Sequence, residues 1–139
     1  RSGVIVPKQV DVEISHHYGV DRFYDFGLTI FTVVNREYCK KLLILLPKQQ
    51  HAEQSHKVKE ETFHILYGDL WVNLDGEVRQ CNPGDVVTVN REVKHSFGTD
   101  TGAIIEEISS THFADDSSYT DIAIMQNKHR KTQLTYWLD

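Results

Sequence analysis

The chain has 139 residues, of which 40% are hydrophobic and 25% charged, and a formal net charge of -5. That length suffices for one ordinary domain with a real core, without disulfide or metal staples. The acidic balance argues against phosphate backbones and anionic membrane surfaces, so neither nucleic acid nor membrane is expected as a partner.

The sequence begins Arg1-Ser2-Gly3-Val4, with no initiator Met and no signal-peptide pattern. A trimmed chain or a piece of a longer polypeptide is expected. Val10 to Ile14 alternates apolar and polar residues, the period of a half-buried strand. Tyr18 to Phe26 has room for one or two helical turns, with Val20, Phe23 and Tyr24 on one face. Residues 1–27 are expected to pack as a strand and helical turn on a barrel made by residues 28–139. Leu28 to Val34 is rich in β-branched and aromatic residues, as strands are. Lys41 to Leu46 reads as a continuous strand ended by Pro47. Its apolar run, Leu42 to Leu46, is the longest in the chain and far short of the roughly 20 residues of a membrane helix. Phe63 to Tyr67 and Leu70 to Leu74 flank Gly68-Asp69, which reads as a two-residue hairpin turn. Asp75-Gly76 reads as a second turn, and Asn82-Pro83-Gly84-Asp85 as a third leading into Val86 to Val89. Ala103 to Ile108 is a further strand, and the tail from Asn127 is placed as a closing strand. Many short strands between turn residues define an all-β sandwich or barrel.

Cys39 and Cys81 form no CxxC pair and read as thiols in a reducing compartment, hence a cytoplasmic placement. Trp71 and Trp137 read as packing residues, His16-His17 as surface or interface residues, and His64 as facing outward. The chemistry gathers in Gln50 to Phe63 and at His95. Imidazole nitrogen and carboxylate oxygen together suit a divalent cation. Residues two apart in a strand share a face, so Gln54 and His56 point the same way, whereas His51 faces away from His56 unless the chain turns between them. Glu61 shares a face with Phe63 and Ile65. His95 shares one with Val93 and Phe97, which is therefore inward, and a buried imidazole needs a partner.

Glu61, Gly68, and Pro83-Gly84-Asp85 through Lys94-His95 resemble the two short motifs of cupins. The resemblance implies a single all-β cupin domain, a jelly-roll or double-stranded β-helix barrel. It implies His56, Glu61 and His95 as ligands of a divalent metal, whether Mn, Fe, Co, Ni or Zn. Gln54 stands where the family usually has its first His, and an amide oxygen is a weaker donor than imidazole. A closer resemblance runs from Leu28 to Asp121. It is carried by Val34-Asn35-Arg36-Glu37-Tyr38-Cys39-Lys40-Lys41, Leu45-Leu46-Pro47, Glu60-Glu61-Thr62-Phe63, Tyr67-Gly68, Lys94-His95 and Glu107-Ile108-Ser109-Ser110-Thr111. These segments resemble cupins of the D-lyxose isomerase type and the cupin module at the C-terminus of some sialic-acid-synthase-like enzymes of surface-sugar biosynthesis.

That resemblance implies a sugar or sugar-acid ligand and aldose–ketose isomerisation, with Lys41 and Glu107 as proton-transfer candidates. Alternation puts either Glu106 or Glu107 inward without choosing, and the resemblance selects Glu107. Arg36, Tyr38 and His112 are candidates for touching the sugar. A homodimer paired through outer positions such as Ile104 and Ile108 is expected, or a module of a larger synthase. The rival reading is a non-catalytic sugar-binding or regulatory cupin, favoured by Gln54. An iron-dependent dioxygenase, which more usually has three His, and a purely structural module are the remaining alternatives.

Overall fold

Alternation decides which side of each strand is buried. In Glu61–Gly68, residues Glu61, Phe63 and Ile65 are buried while Thr62 and His64 are half-exposed. In Ala103–Ser110 the buried set is Ala103, Ile105, Glu107 and Ser109. A computed structural model of the protein describes residues 1–135, and Tyr136 and Trp137 lie outside the described residues, as does the packing role read for Trp137.

In chain order the strands are β1 (Asp11–His16), β2 (Gly27–Asn35), β3 (Tyr38–Leu45), β4 (Gln50–His56), β5 (Glu61–Gly68), β6 (Leu70–Leu74), β7 (Glu77–Cys81), β8 (Val86–Val89), β9 (His95–Gly98), β10 (Ala103–Ser110), β11 (Ser117–Tyr119) and β12 (Lys131–Gln133). A short helix, α1 (Ile122–Gln126), follows β11. One seven-stranded sheet runs β12-β1-β2-β3-β10-β5-β8, and a five-stranded sheet runs β11-β4-β9-β6-β7. All their pairings are antiparallel. The inward faces interdigitate in one core that includes Leu28, Leu43, Phe63, Ile65, Val72 and Phe97. This is the all-β jelly roll the motifs imply. Within the tail, Lys131–Gln133 forms β12, which closes one edge against β1. No helix among the described residues is long and apolar enough to cross a membrane.

The three turns read from the sequence differ in what they join. Gly68-Asp69 is not a hairpin turn, because β5 and β6 lie in different sheets and the chain crosses between them there. Gly68 has φ 84°, and a Cβ on it would overlap the Gly102 carbonyl oxygen. Asp69 serves the neighbouring loop, its carboxylate accepting the amides of Asp100 and Thr101 at 2.9 Å each. Asp75-Gly76 is a true hairpin turn, with φ 50° and 92°, joining the paired residues Leu74 and Glu77. Asn82 to Asp85 again carries the chain between sheets, from β7 to β8.

The stretch Tyr18 to Phe26 holds a single 3-10 turn at Val20–Arg22. Val20 and Tyr24 are 62% and 70% exposed, so the expected apolar face is not buried. So short a turn presents no continuous stripe. Instead Tyr18 and Phe26 meet edge to face and pack on Ala52, Tyr119 and Ile124. His16 and His17 are buried, not on the surface. His16 ends β1, an inner strand of the larger sheet, and His17 follows it directly.

Candidate functional site

The site lies between the sheets, where β4, β5 and β9 point side chains inward. β4 carries one extra residue relative to β9: His51 pairs with Phe97 and Gln54 with His95, with the register shifting between them. This β-bulge resets the alternation. His51, Gln54 and His56 are all buried as a result. Parity alone placed His51 away from His56, and the bulge is what overturns that.

His56, Glu61 and His95 offer ligand atoms that all lie within 4.8 Å of one another. Each imidazole is pinned by its far nitrogen. His95 Nδ1 meets the Val93 carbonyl at 2.9 Å and His56 Nδ1 meets the Asp116 carbonyl at 3.1 Å. A carbonyl only accepts, so both Nδ1 atoms donate. The two Nε2 atoms are left facing Glu61 Oε1, at 2.8 Å from His95 and 3.5 Å from His56. These three atoms are buried and have no well-formed hydrogen-bond partner. In neutral imidazoles they are lone pairs converging on a carboxylate, an arrangement that a cation satisfies. The donor set fits a divalent metal of the borderline class.

Sequence reasoning missed Lys59, which it left in a polar turn. Its ammonium is buried, 3.2 Å from Glu61 Oε2 and 3.6 Å from Glu107 Oε2. The loop that carries it is tied down by Asp116, whose carboxylate accepts the amides of Lys57, Val58 and Lys59 at 2.9–3.1 Å. Burial pulls Lys59 toward neutrality, but Glu107 and Glu61 outweigh it and raise its pKa. Burial alone would raise Glu61, yet Lys59, His56 and His95 hold it well below the usual carboxylate range. Glu107 goes the other way. Its burial dominates, Glu61 adds to it, and the carboxyl is raised despite Lys59.

Glu107 is the inward residue of the Glu106-Glu107 pair. Glu106 faces outward, 3.0 Å from Lys40 and 3.5 Å from His64, which places His64 on the outer face as read. Lys41 is buried and directly opposite Glu107 on the β3–β10 ladder. Burial lowers its pKa, with Glu107 opposing. His112, half-buried, meets Lys59 Nζ at 3.3 Å through Nδ1. Burial, then Lys41 and Lys59, push its pKa down to about 2.

Lys41, Gln54, His56, Lys59, Glu107 and His112 line one cavity of ≈ 40 Å³. Ser117, Tyr119 and Lys131 flank it. Arg36 and Tyr38 are not brought to it. They sit with Glu37 in a separate exposed depression at the β2–β3 turn. Trp71 is half-buried and covers Gly98, where a Cβ would overlap its indole, so it packs as read.

Comparison with known proteins agrees with this architecture. Residues 41–106 match the family model described as Cupin domain. The D-lyxose ketol-isomerase of Thermofilum sp. (strain ex4484_79) is 29% identical, over 75% of this chain and 74% of the relative. The D-lyxose/D-mannose isomerase of Thermosediminibacter oceani is 28% identical, over 84% and 81%. Among solved structures, ligand-free L-ribose isomerase of Cellulomonas parahominis superposes with TM-score 0.73 at 12% identity, over 82% of each chain. KdgF from Halomonas sp. superposes with TM-score 0.59 at 16% identity, over 63% of this chain and 82% of that one. At such identities the structures speak for the fold alone. The chain has the all-β jelly-roll fold of cupins. Within that fold it resembles D-lyxose isomerase.

Proposed function

We propose that the protein is a metal-dependent aldose–ketose isomerase acting on a small sugar. The observation that carries the reading is the convergence of His56, Glu61 and His95 on one point beside an inward Glu107 whose carboxyl is raised by burial. Relatives named as D-lyxose and D-mannose isomerases support it. His56, Glu61 and His95 would hold the cation, with Gln54 beside them, and a bound divalent ion supplies polarisation of adjacent sugar oxygens.

Glu107 takes the carbon-bound proton and returns it to the neighbouring carbon. A carboxyl raised toward neutrality suits a group that must both accept and release a proton. Lys59 keeps its charge and holds Glu107 in place from 3.6 Å. Lys41, across the ladder and with a lowered pKa, is placed to pass a proton to a sugar oxygen. Neutral His112 accepts from Lys59 at Nδ1, which leaves its Nε2–H to offer to a hydroxyl. Glu107, Lys41 and His112 all line the cavity of ≈ 40 Å³. Ser117 and Tyr119 of β11 and Lys131 of β12 also line the cavity. A cytoplasmic homodimer is the assembly this reading carries, with outward Ile104 and Ile108 available for pairing.

Gln54 favours a second reading, a non-catalytic sugar-binding module, free or within a sialic-acid-synthase-like polypeptide. One experiment separates the two. The metal-loaded protein is incubated in heavy water with D-lyxose, D-mannose and L-ribose, and deuterium is sought at C1 and C2. The isomerase reading expects exchange that falls roughly 10²–10⁴-fold in Glu107→Gln. Sugar binding without exchange in the unaltered protein sinks it and leaves the binding module.

A further inference from the structure

His51 does not belong to the group of residues that meet at Glu61, yet it is held as firmly as the two imidazoles that do. Its Nδ1 donates to the Ala52 carbonyl at 2.7 Å. Its ring stacks on Phe97 at 5.0 Å and lies nearly parallel to Tyr119 at 6.0 Å, with His17 edge-on at 4.4 Å. The bulge in β4 turns this ring inward, and there it meets Gln54: Gln54 Nε2 is 3.4 Å from His51 Nε2.

That contact fixes an orientation. Since Nδ1 carries the proton, Nε2 of neutral His51 carries a lone pair. It accepts from the Gln54 NH2 group and repels the Gln54 carbonyl oxygen. The amide is therefore held with its nitrogen toward His51 and its oxygen on the opposite side. Gln54 lies directly across the ladder from His95 and two residues from His56 on the same face. The NH2 end of an amide cannot ligate a cation, while the oxygen end can.

We propose that His51 is a positioning residue that orients the Gln54 amide, so that Gln54 Oε1 is the fourth protein donor to the cation held by His56, Glu61 and His95. The pair replaces one imidazole ligand by an amide ligand with an imidazole behind it. This rests on the metal-binding reading above and adds to it the identity and orientation of the fourth donor.

The test is a cobalt(II) titration of the full chain in competition with a chelating dye, for the unaltered protein, His51→Phe, Gln54→Leu and the double variant. Phenylalanine keeps the stack on Phe97 and removes the acceptor. His51→Phe and Gln54→Leu are each expected to weaken affinity about tenfold to a hundredfold, as loss of a ligand's support does. The double variant is expected to bind no more weakly than Gln54→Leu alone, because His51 acts only through the amide. Gln54→Glu, which needs no amide orientation, is expected to bind at least as tightly as the unaltered protein. Full affinity in His51→Phe or Gln54→Leu overturns the inference while leaving the metal site standing, as do additive losses in the double variant. Absence of cobalt binding by the unaltered protein overturns both.

Discussion

His95 Nε2 stands 2.8 Å from Glu61 Oε1, with both side chains sealed from solvent. Such a contact between two atoms with lone pairs is held by whatever positive charge lies between them, a proton or a metal ion. The two occupants leave opposite signatures in pH.

Without metal, burial lowers the His95 pKa but Glu61 outweighs it, and the net shift is upward. A raised folded-state pKa gives stability fully present below the unfolded value of about 6.5 and lost as pH rises through the folded value. Glu61 is lowered, so its share is present above the unfolded value of about 4.3 and is lost as pH falls through the folded one. The pair thus stabilises the metal-free chain most in mildly acidic solution. Metal needs the unprotonated imidazole, so its stabilisation grows as pH rises. Melting curves with chelator and with metal should coincide at low pH and separate above neutrality. A separation independent of pH would count against the site.

A metal supplied at 100 times its dissociation constant should add about 2.7 kcal/mol to the free energy of unfolding. The gain should vanish in His56→Ala and in His95→Ala. Thermal melts of chelator-stripped protein, titrated with Mn, Fe(II), Co, Ni and Zn, check this. Unchanged melting with every metal would remove the basis of the isomerase reading.

Lys59 neutralises two buried carboxylates, at 3.2 and 3.6 Å. Lys59→Met strands them, and breaking a buried pair typically costs about 3–5 kcal/mol. The loss should be smaller with metal bound, because the ion then offsets the Glu61 charge. Urea unfolding of both forms measures the difference. A loss below about 1 kcal/mol in the metal-free form would show that Lys59 is dispensable to the buried charges.

Gly68→Ala should destabilise by at least about 2 kcal/mol. A left-handed backbone costs a non-glycine residue about 1–3 kcal/mol, and the added methyl group meets the Gly102 carbonyl oxygen. Gly76→Ala shares the positive φ but has open space around it, so it should lose less. Equal losses from urea unfolding would mean that close packing at the sheet crossing contributes nothing.

Much of the barrel was legible because it rests on period two. Glu61, Phe63 and Ile65 on one side of β5, and His95 with Phe97 on β9, follow from alternation, and the structure buries all five. Alternation left Glu106 and Glu107 undecided, and the resemblance to D-lyxose isomerase-type cupins pointed inward for the right one. What stayed hidden depended on the third dimension. Gly68-Asp69 has hairpin composition, but whether two strands pair or part is decided by the sheets they join. Lys59 sits in a run of charged residues that looks solvated, and Asp116 and Glu107, which with Glu61 hold its loop and its ammonium inside, come from other parts of the chain. His51 was set aside on parity, which a bulge invisible in composition reversed. A register slip within a strand leaves a signal in sequence only if both partners are already known.

The bulge in β4 also bears on how the chain tolerates changes in length. Removing Ala52 or Glu53 would leave an ordinary ladder in which His51 stands two residues before Gln54 and still faces inward. The same deletion in β5, between Glu61 and Ile65, would turn one part of the strand over and carry either Glu61 or the apolar residues beyond it to the solvent side. Insertions and deletions of one residue among descendants of this sequence are thus expected to occur at Ala52-Glu53 and to be absent from β5 between Glu61 and Ile65.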